Sequence, residues 1–352
     1  MPERHYRLCL LPGDGIGPEV IAAAVGVLEA AAQRFGFAIQ TAAYPVGGAG
    51  LQAAGDPLPP ATLEAALAAD AVLLGAVGAP EFDCEPPARK PETGLLRLRQ
   101  ALGAFANLRP IRHVPGVGSV PLKDELAAGV DFIIVRELTG GIYFGRPRGF
   151  DPDRRAGFNT MRYEIAEIER VARVAFALAA SRRGKLASVD KANVLETSQL
   201  WRETVNRLAG EYAGVALEHL YIDNAAMQIL LRPRDFDVIV TGNLFGDILS
   251  DEAAVLAGSL GLLPSASLGG PVGLYEPVHG SAPALAGQDV ANPIGAILSS
   301  AMLLRHSCRE PQAAAAIEQA VDRALAEGLR TRDLGAPAIG CRALAAAVAA
   351  RL

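Results

Sequence analysis

The carboxylates Asp247 and Asp251 stand at i and i+4 in Gly246-Asp247-Ile248-Leu249-Ser250-Asp251-Glu252. On a helix that spacing puts both on one face about one turn apart, where a shared cation offsets their repulsion. Oxygen donors of this kind suit Mg²⁺ or Mn²⁺ better than zinc. From spacing alone, an exposed acidic first turn facing the positive end of the helix dipole is the commoner arrangement. Asp223, between strand-like Leu220-Tyr221-Ile222 and helical Ala225-Ala226-Met227, reads either as a helix cap or as a third ligand. Lys191, in Asp190-Lys191-Ala192-Asn193, stands just past a strand, where α/β sheets gather their ligands. Solvated, it is inert; buried beside other cations or a metal, its amine becomes a general base. Arg99, Arg109 and Arg136 offer planar forks for carboxylates. Tyr143, next to Gly140-Gly141, supplies a phenolic proton or packs as an ordinary tyrosine with a satisfied hydroxyl.

Short apolar or β-branched runs alternate with segments of helical period, the pattern of an α/β sheet fed by crossover helices. Strands are expected at 6–11, 71–75, 132–137, 186–189, 216–222 and 236–240, and helices at 18–34, 93–102, 164–181, 195–208 and 246–260. The C-terminal third reads mostly helical. Pro and Gly cluster in loops at 45–60, 80–91, 110–121 and 261–295, with no repeat and no low-complexity linker. Pattern alone therefore gives no domain boundary.

A chain of 352 residues suggests about two domains. Hydrophobic residues at 51% and charged residues at 20% are globular proportions. With 33 Lys+Arg against 38 Asp+Glu, the net charge of −5 provides no global positive field for a nucleic-acid backbone. No stretch approaches the roughly 20 apolar residues that span a bilayer, and the first residues lack the hydrophobic centre of a signal peptide. Cys9, Cys84, Cys308 and Cys341 show no CxxC spacing, which fits a reducing compartment; a cytoplasmic location is expected. Gly13-Asp14-Gly15-Ile16-Gly17-Pro18 invites a dinucleotide-fingerprint reading, but Pro18 stands where a third glycine belongs and Gly36-Phe37-Ala38 where an acidic ribose ligand belongs. A tight strand-to-helix turn is at least as good a description. The P-loop, nucleophile-elbow and H-E-x-x-H signatures are missing.

Taken together, several segments resemble the β-decarboxylating dehydrogenases, the family of isopropylmalate and isocitrate dehydrogenases. They are 11–19 (LPGDGIGPE), 105–110 (FANLRP), 136–143 (RELTGGIY), 190–193 (DKAN), 243–251 (NLFGDILSD) and 277–283 (PVHGSAP). The likeness runs nearly end to end. It implies a two-domain α/β fold with a central mixed sheet, not a Rossmann fold. The first domain, 1–104 and 258–352, would mainly bind cofactor; the second, 105–257, would form the dimer interface and carry the catalytic lysine and metal-binding aspartates. The resemblance also implies a homodimer with shared active sites. Arg99, Arg109 and Arg136 would clamp two substrate carboxylates, and Asp247 and Asp251 would hold Mg²⁺ or Mn²⁺ with Asp223 of the other subunit. Lys191, also crossing the interface, would take the hydroxyl proton, directly or through water, as hydride leaves for NAD. The metal would polarise the new carbonyl while CO₂ departs, and Tyr143 would protonate the enolate carbon. His279, Gly280, Ser281, Ala282, Pro283, Ala284 and Asn292 would line the cofactor.

On a helix, Glu92, Leu95, Leu96 and Arg99 share a face, with Arg97 about 140° from Glu92. That face is largely apolar, so Leu95 and Leu96 would meet an isopropyl branch where isocitrate enzymes use serine and asparagine; packing onto the sheet is the commoner fate of such leucines. Burying an isopropyl group gains on the order of 2 kcal/mol, whereas burying an unpaired carboxylate costs several. Relatives that use D-malate, tartrate, isocitrate or homoisocitrate are the nearest alternative, and a non-catalytic regulatory subunit a more distant one. One departure concerns the cofactor: NAD-dependent members usually carry an aspartate where this chain has Ala284, and NADP-dependent isocitrate enzymes a lysine. NAD is the expected cofactor, with weakened selectivity.

Overall fold

The computed structural model describes residues 4–118, 120 and 122–352. The chain opens with β1 (Arg4–Gly13), α1 (Gly17–Phe35) and β2 (Phe37–Ala43). Two short helices follow, α2 (Gly48–Ala54) and α3 (Pro60–Ala68), then β3 (Ala71–Ala76) and α4 (Pro91–Ala101). Next come β4 (Ala106–Arg112), the one-turn α5 (Asp124–Ala127), β5 (Asp131–Glu137) and a small hairpin of β6 (Gly149–Phe150) with β7 (Gly157–Phe158). Helix α6 (Ile165–Ser181) leads to β8 (Lys185–Asp190), α7 (Glu196–Ala209), β9 (Ala216–Tyr221), α8 (Ile222–Leu231), β10 (Val238–Thr241) and α9 (Asn243–Ala254). The last elements are β11 (Pro264–Leu268), β12 (Gly273–Pro277), α10 (Ile294–His306), α11 (Pro311–Ala326) and α12 (Cys341–Ala349).

These elements form two compact units. One takes both ends of the chain, Met1–Ala104 and Ala257–Leu352, with the short segment Gly116–Ser119; the other comprises Phe105–Pro115 and Val120–Leu256. In the first, strands run in the order β2-β1-β3-β12-β11, parallel except for the antiparallel β11–β12 pair. Helix α1 packs against α10, α11 and α12, and its ends follow from sequence: Gly17-Pro18 opens it and Gly36, at φ +70°, closes it. In the second unit the order is β4-β5-β10-β8-β9, with only β4–β5 antiparallel. Helices α6 and α7 pack together over the parallel strands, while α9 packs on β4, β5 and β10. The strands of each unit are mixed in direction, unlike those of a Rossmann sheet. Among the described residues, no helix is long and apolar enough to cross a membrane.

Several elements depart from the sequence-based expectation. Strands β11 and β12 and helix α2 fall in segments expected to be loops. The β12 segment, Gly-Leu-Tyr-Glu-Pro, is buried throughout, so it shows no alternation, and glycine and proline at its ends mask it further. Pro110 disguised β4 in the same way. Helix α9 begins three residues before the expected start, at Asn243.

The Gly13–Gly17 segment is a tight turn. A Cβ at Gly13 would lie 1.9 Å from the Ala76 carbonyl oxygen, and one at Gly15 1.9 Å from that of Ser281. Asp14, buried between them, accepts hydrogen bonds from the backbone amides of Gly48 (2.9 Å), Ala49 (2.9 Å) and Gly78 (2.8 Å). Asp14→Ala would strand three amides, so we expect a loss of about 2–4 kcal/mol in stability. Denaturant unfolding of the full chain checks this, with Asp14→Asn retaining part of the difference.

Candidate active site

The second unit brings five of the expected residues together. Antiparallel pairing sets Asn107 of β4 opposite Arg136 of β5, and the two-residue period of a strand puts Arg109 on the same face. Helix α9 covers that face. Arg109 donates from Nε to Asn107 Oδ1 (2.9 Å) and from Nη1 to Ser250 Oγ (2.6 Å) and Asp251 Oδ1 (3.2 Å); its Nη2 lies 3.7 Å from Asp247 Oδ1. Arg136 donates from Nη1 to the same Asp247 oxygen. Tyr143 donates its hydroxyl to Asp247 Oδ2 at 2.8 Å, and the Arg136 guanidinium carbon lies 5.8 Å from the centre of the tyrosine ring. Asp247 and Asp251 therefore lie in the second and third turns of α9 rather than in an acidic first turn, and the charges facing them are guanidinium groups.

Burial and the neighbouring Asp247 push the Tyr143 hydroxyl up to about 12, with Arg136 pulling weakly the other way. At neutral pH the group is a phenol with a proton to give. The turn leading to it is held by Glu137, which is fully buried and accepts from Thr139 N (2.9 Å), Thr139 Oγ (3.0 Å) and Gly140 N (2.8 Å).

Lys191 and Asp223 form a second, separate pair in this unit, bonded to each other. Asp223 is the second residue of α8, where Tyr221 holds the N-cap position; the lysine, and then a backbone hydrogen bond, hold its carboxyl below the usual range. The Lys191 amine lies 5.9 Å from the centre of the Tyr221 ring, which Arg202 also approaches at 4.9 Å. Arg202 in turn grips buried Asp190 through two 2.9 Å bonds. Among the described residues, no three His, Cys, Asp or Glu side chains of the chain form a metal-binding group. Asp247 and Asp251 contribute two hard oxygen donors on one face, with Asp251 66% exposed, which suits a divalent ion completed by further ligands.

The first unit carries the remaining residues. On α4, Arg99 is buried and donates to Glu276 Oε1 of β12 at 2.7 Å, while Arg97 turns away to Asp56 at 2.6 Å. Glu92 is exposed. Leu95 is half-buried against the core around Leu11, Leu74 and Leu98, the commoner fate noted above, whereas half-buried Leu96 is not part of that packing. Between β12 and α10, the His279 imidazole bonds through Nδ1 to the Gly280 carbonyl at 2.9 Å, and burial pushes its pKa down. Its Nε2 is buried and has no hydrogen-bond partner among the described residues. Ser281 receives the Ile16 amide on its carbonyl, Ala282 is left-handed at φ +38°, and Pro283 starts a short turn containing exposed Ala284. Asn292 spends its amide internally, on Asp333 Oδ2 (3.0 Å) and the Ile294 amide (3.0 Å).

The family model described as isocitrate/isopropylmalate dehydrogenase matches residues 7–348. The chain belongs to this family. It is 59% identical over 348 residues to the 3-isopropylmalate dehydrogenase of Gloeobacter violaceus, covering 97% of this chain and 96% of that one. Identity to the 3-isopropylmalate dehydrogenase of Parasynechococcus marenigrum is 57%, covering 97% of each. Among solved structures, an isocitrate dehydrogenase from Methylococcus capsulatus aligns with TM-score 0.89 at 37% identity, covering 98% of this chain and 99% of that one. A β-decarboxylating dehydrogenase from Thermococcus kodakarensis, in apo form, aligns with TM-score 0.81 at 37% identity, covering 98% and 96%. Within the family, then, the backbone accommodates enzymes named for different substrates, and discrimination falls to side chains.

Sequence reasoning passed over Asn107, Glu137, Asn243 and Ser250, although all four lie inside the motifs it used. Gly246 was another. It is buried in α9, and a Cβ there would lie 2.7 Å from Arg136 Cγ and 2.8 Å from its Cβ. Alanine in a helix interior normally gains about 1 kcal/mol over glycine. Here the overlap with the arginine stem, costing about 1–3 kcal/mol, outweighs that gain. Gly246→Ala is therefore expected to lower the unfolding midpoint, and a raised midpoint would contradict this packing.

Proposed function

We propose that this chain catalyses the NAD-dependent oxidative decarboxylation of 3-isopropylmalate to 4-methyl-2-oxopentanoate and CO₂, a step of leucine biosynthesis, as a cytoplasmic homodimer. The observation that carries the reading is the grouping of Arg109, Arg136 and Tyr143 around the Asp247 carboxylate, with Asp251 bonded to Arg109, in a chain nearly 60% identical end to end to enzymes named for this substrate. The first unit is mainly cofactor-binding; the second carries the dimer interface, Lys191 and the aspartates.

Arg109 and Arg136, with Arg99, grip the two substrate carboxylates, because guanidinium groups stay charged when desolvated. Asp247 and Asp251, with Asp223 of the other protomer, hold the Mg²⁺ or Mn²⁺ ion, while residues 279–284 and Asn292 line the dinucleotide. A bound nicotinamide would supply the hydride acceptor for C2, and a bound divalent ion would supply Lewis-acid polarisation of the C2 oxygen. Lys191 receives the C2 hydroxyl proton at Nζ, directly or through a water. After CO₂ leaves, Tyr143 gives its phenolic proton to the enolate carbon, the hydroxyl being protonated at neutral pH. Leu96, with Leu95 behind it, offers apolar surface to the isopropyl branch.

A homodimer is favoured by exposed apolar residues on two adjacent helices. Met227 and Leu231 on α8 are 55% and 65% exposed, and Ile248 on α9 is 58% exposed. A second copy of this surface is a self-complementary cover for them.

A substrate panel separates the family readings. With Mn²⁺ and NAD, 3-isopropylmalate is expected to exceed D-malate, tartrate, isocitrate and homoisocitrate in kcat/KM, and a higher value for isocitrate would replace this reading. Shared sites predict that Lys191→Met and Asp251→Asn, each inactive alone, recover partial activity after mixing and subunit exchange. Continued inactivity would count against sites built from two chains. Ala284→Asp restores a carboxylate for the ribose hydroxyls and is expected to favour NAD over NADP by about 1.5–3 kcal/mol. Both kcat/KM ratios and NADH affinity by fluorescence report this change.

A further inference from the structure

Asn243, the first residue of α9, is only 1% exposed, and both ends of its side-chain amide are engaged. Its Oδ1 accepts from Arg136 Nε at 3.1 Å and Arg136 Nη2 at 2.8 Å, and its Nδ2 donates to the Gly140 carbonyl at 3.2 Å. Its backbone amide donates to the Tyr163 hydroxyl at 2.7 Å. The tyrosine is itself wedged among glycines: a Cβ at Gly140, Gly141 or Gly242 would lie 2.9, 2.4 or 3.0 Å from Tyr163 atoms. One buried amide thus joins the arginine to the glycine turn that leads to Tyr143, at the start of the helix bearing Asp247 and Asp251.

We propose that Asn243 is a positioning residue for substrate binding: it fixes the guanidinium plane of Arg136 and anchors the turn that presents Tyr143. This rests on the reading above that Arg136 holds a substrate carboxylate. The chemistry explains the residue type. A neutral oxygen accepts from the Nε–Nη2 edge without cancelling the arginine's charge, whereas a carboxylate there would form a two-pronged ion pair and compete with the substrate. The opposite end of the group must be a donor, because the Gly140 carbonyl faces it. An amide meets both demands; leucine, of similar size, meets neither.

The test is a double-mutant cycle on the full-length protein, assayed with 3-isopropylmalate, NAD and Mn²⁺. It uses Asn243→Leu, Arg136→Lys and their combination, with Asn243→Asp as a second probe. Asn243→Leu is expected to raise the KM for isopropylmalate tenfold or more while the KM for NAD stays within twofold. The double variant is expected to fall within threefold of Arg136→Lys alone, because the amide acts through the arginine. Asn243→Asp, which keeps an acceptor but adds charge, is expected to raise the substrate KM to a similar extent, and it replaces the leucine variant in the cycle if that variant fails to fold. An unchanged substrate KM, equal rises in both KM values, or losses that multiply in the double variant would each overturn the proposal while leaving the function intact. A wild-type chain that does not turn over isopropylmalate would overturn both.

Discussion

The carboxylate of Asp247 is the point at which opposing demands in the second unit are reconciled. Arg109 and Arg136 are 8% and 3% exposed, and guanidinium groups so far removed from water need a nearby anion. Asp247 meets both arginines through one oxygen and the Tyr143 hydroxyl through the other. Two arginines against Asp247 and Asp251 leave the group near electrical balance. On the proposed reading, a divalent ion and a substrate with two carboxylates would bring equal and opposite charge, so neither sign would accumulate beside the buried arginines. Burial first, and then the same carboxylate, push the neighbouring phenol's pKa up.

That interaction depends on backbone features with no charge of their own. Arg136 can lie flat beneath α9 because Gly246 has no side chain to obstruct its stem. The arginine comes from a strand and the carboxylates from a helix, so their meeting depends on helix-to-sheet packing rather than on a loop. Loops are instead fixed by buried carboxylates that accept backbone amides, Glu137 after β5 and Asp14 after β1. These two acids look alike in sequence to Asp247 and Asp251, yet their oxygens are occupied by backbone amides: those of Thr139 and Gly140, in its own turn, for Glu137, and those of the distant Gly48, Ala49 and Gly78 for Asp14.

The alternation of strands and helices was readable because most central strands are apolar runs and most long helices have a clear buried stripe. Strand β4 was not, since Arg109 and Pro110 interrupt its apolar pattern for reasons of chemistry. The charged members of the second-unit cluster were legible as types at suggestive spacings. Their supporting amides were not, because Asn107 and Asn243 carry no charge, follow no period and gain meaning only when an arginine lies against them. Helix spacing correctly separated Arg97 from Arg99 but could not distinguish Leu95 from Leu96. That distinction arises from the core that Leu95 touches.

The two leucines bear on how one backbone can serve enzymes named for different substrates. Leu95 is tied to the core of its unit, so replacing it would disturb packing as well as any ligand. Leu96 lies outside that cluster and is half-buried. The energetic asymmetry favours using such a position: an apolar residue facing an isopropyl group gains on the order of 2 kcal/mol, while the same residue facing an unpaired carboxylate imposes a penalty of several. Rejection of the wrong acid is thus stronger than attraction of the right one. On the proposed reading, a single apolar residue would then separate substrates that share two carboxylates and a hydroxyl, with the arginines left to grip those shared groups.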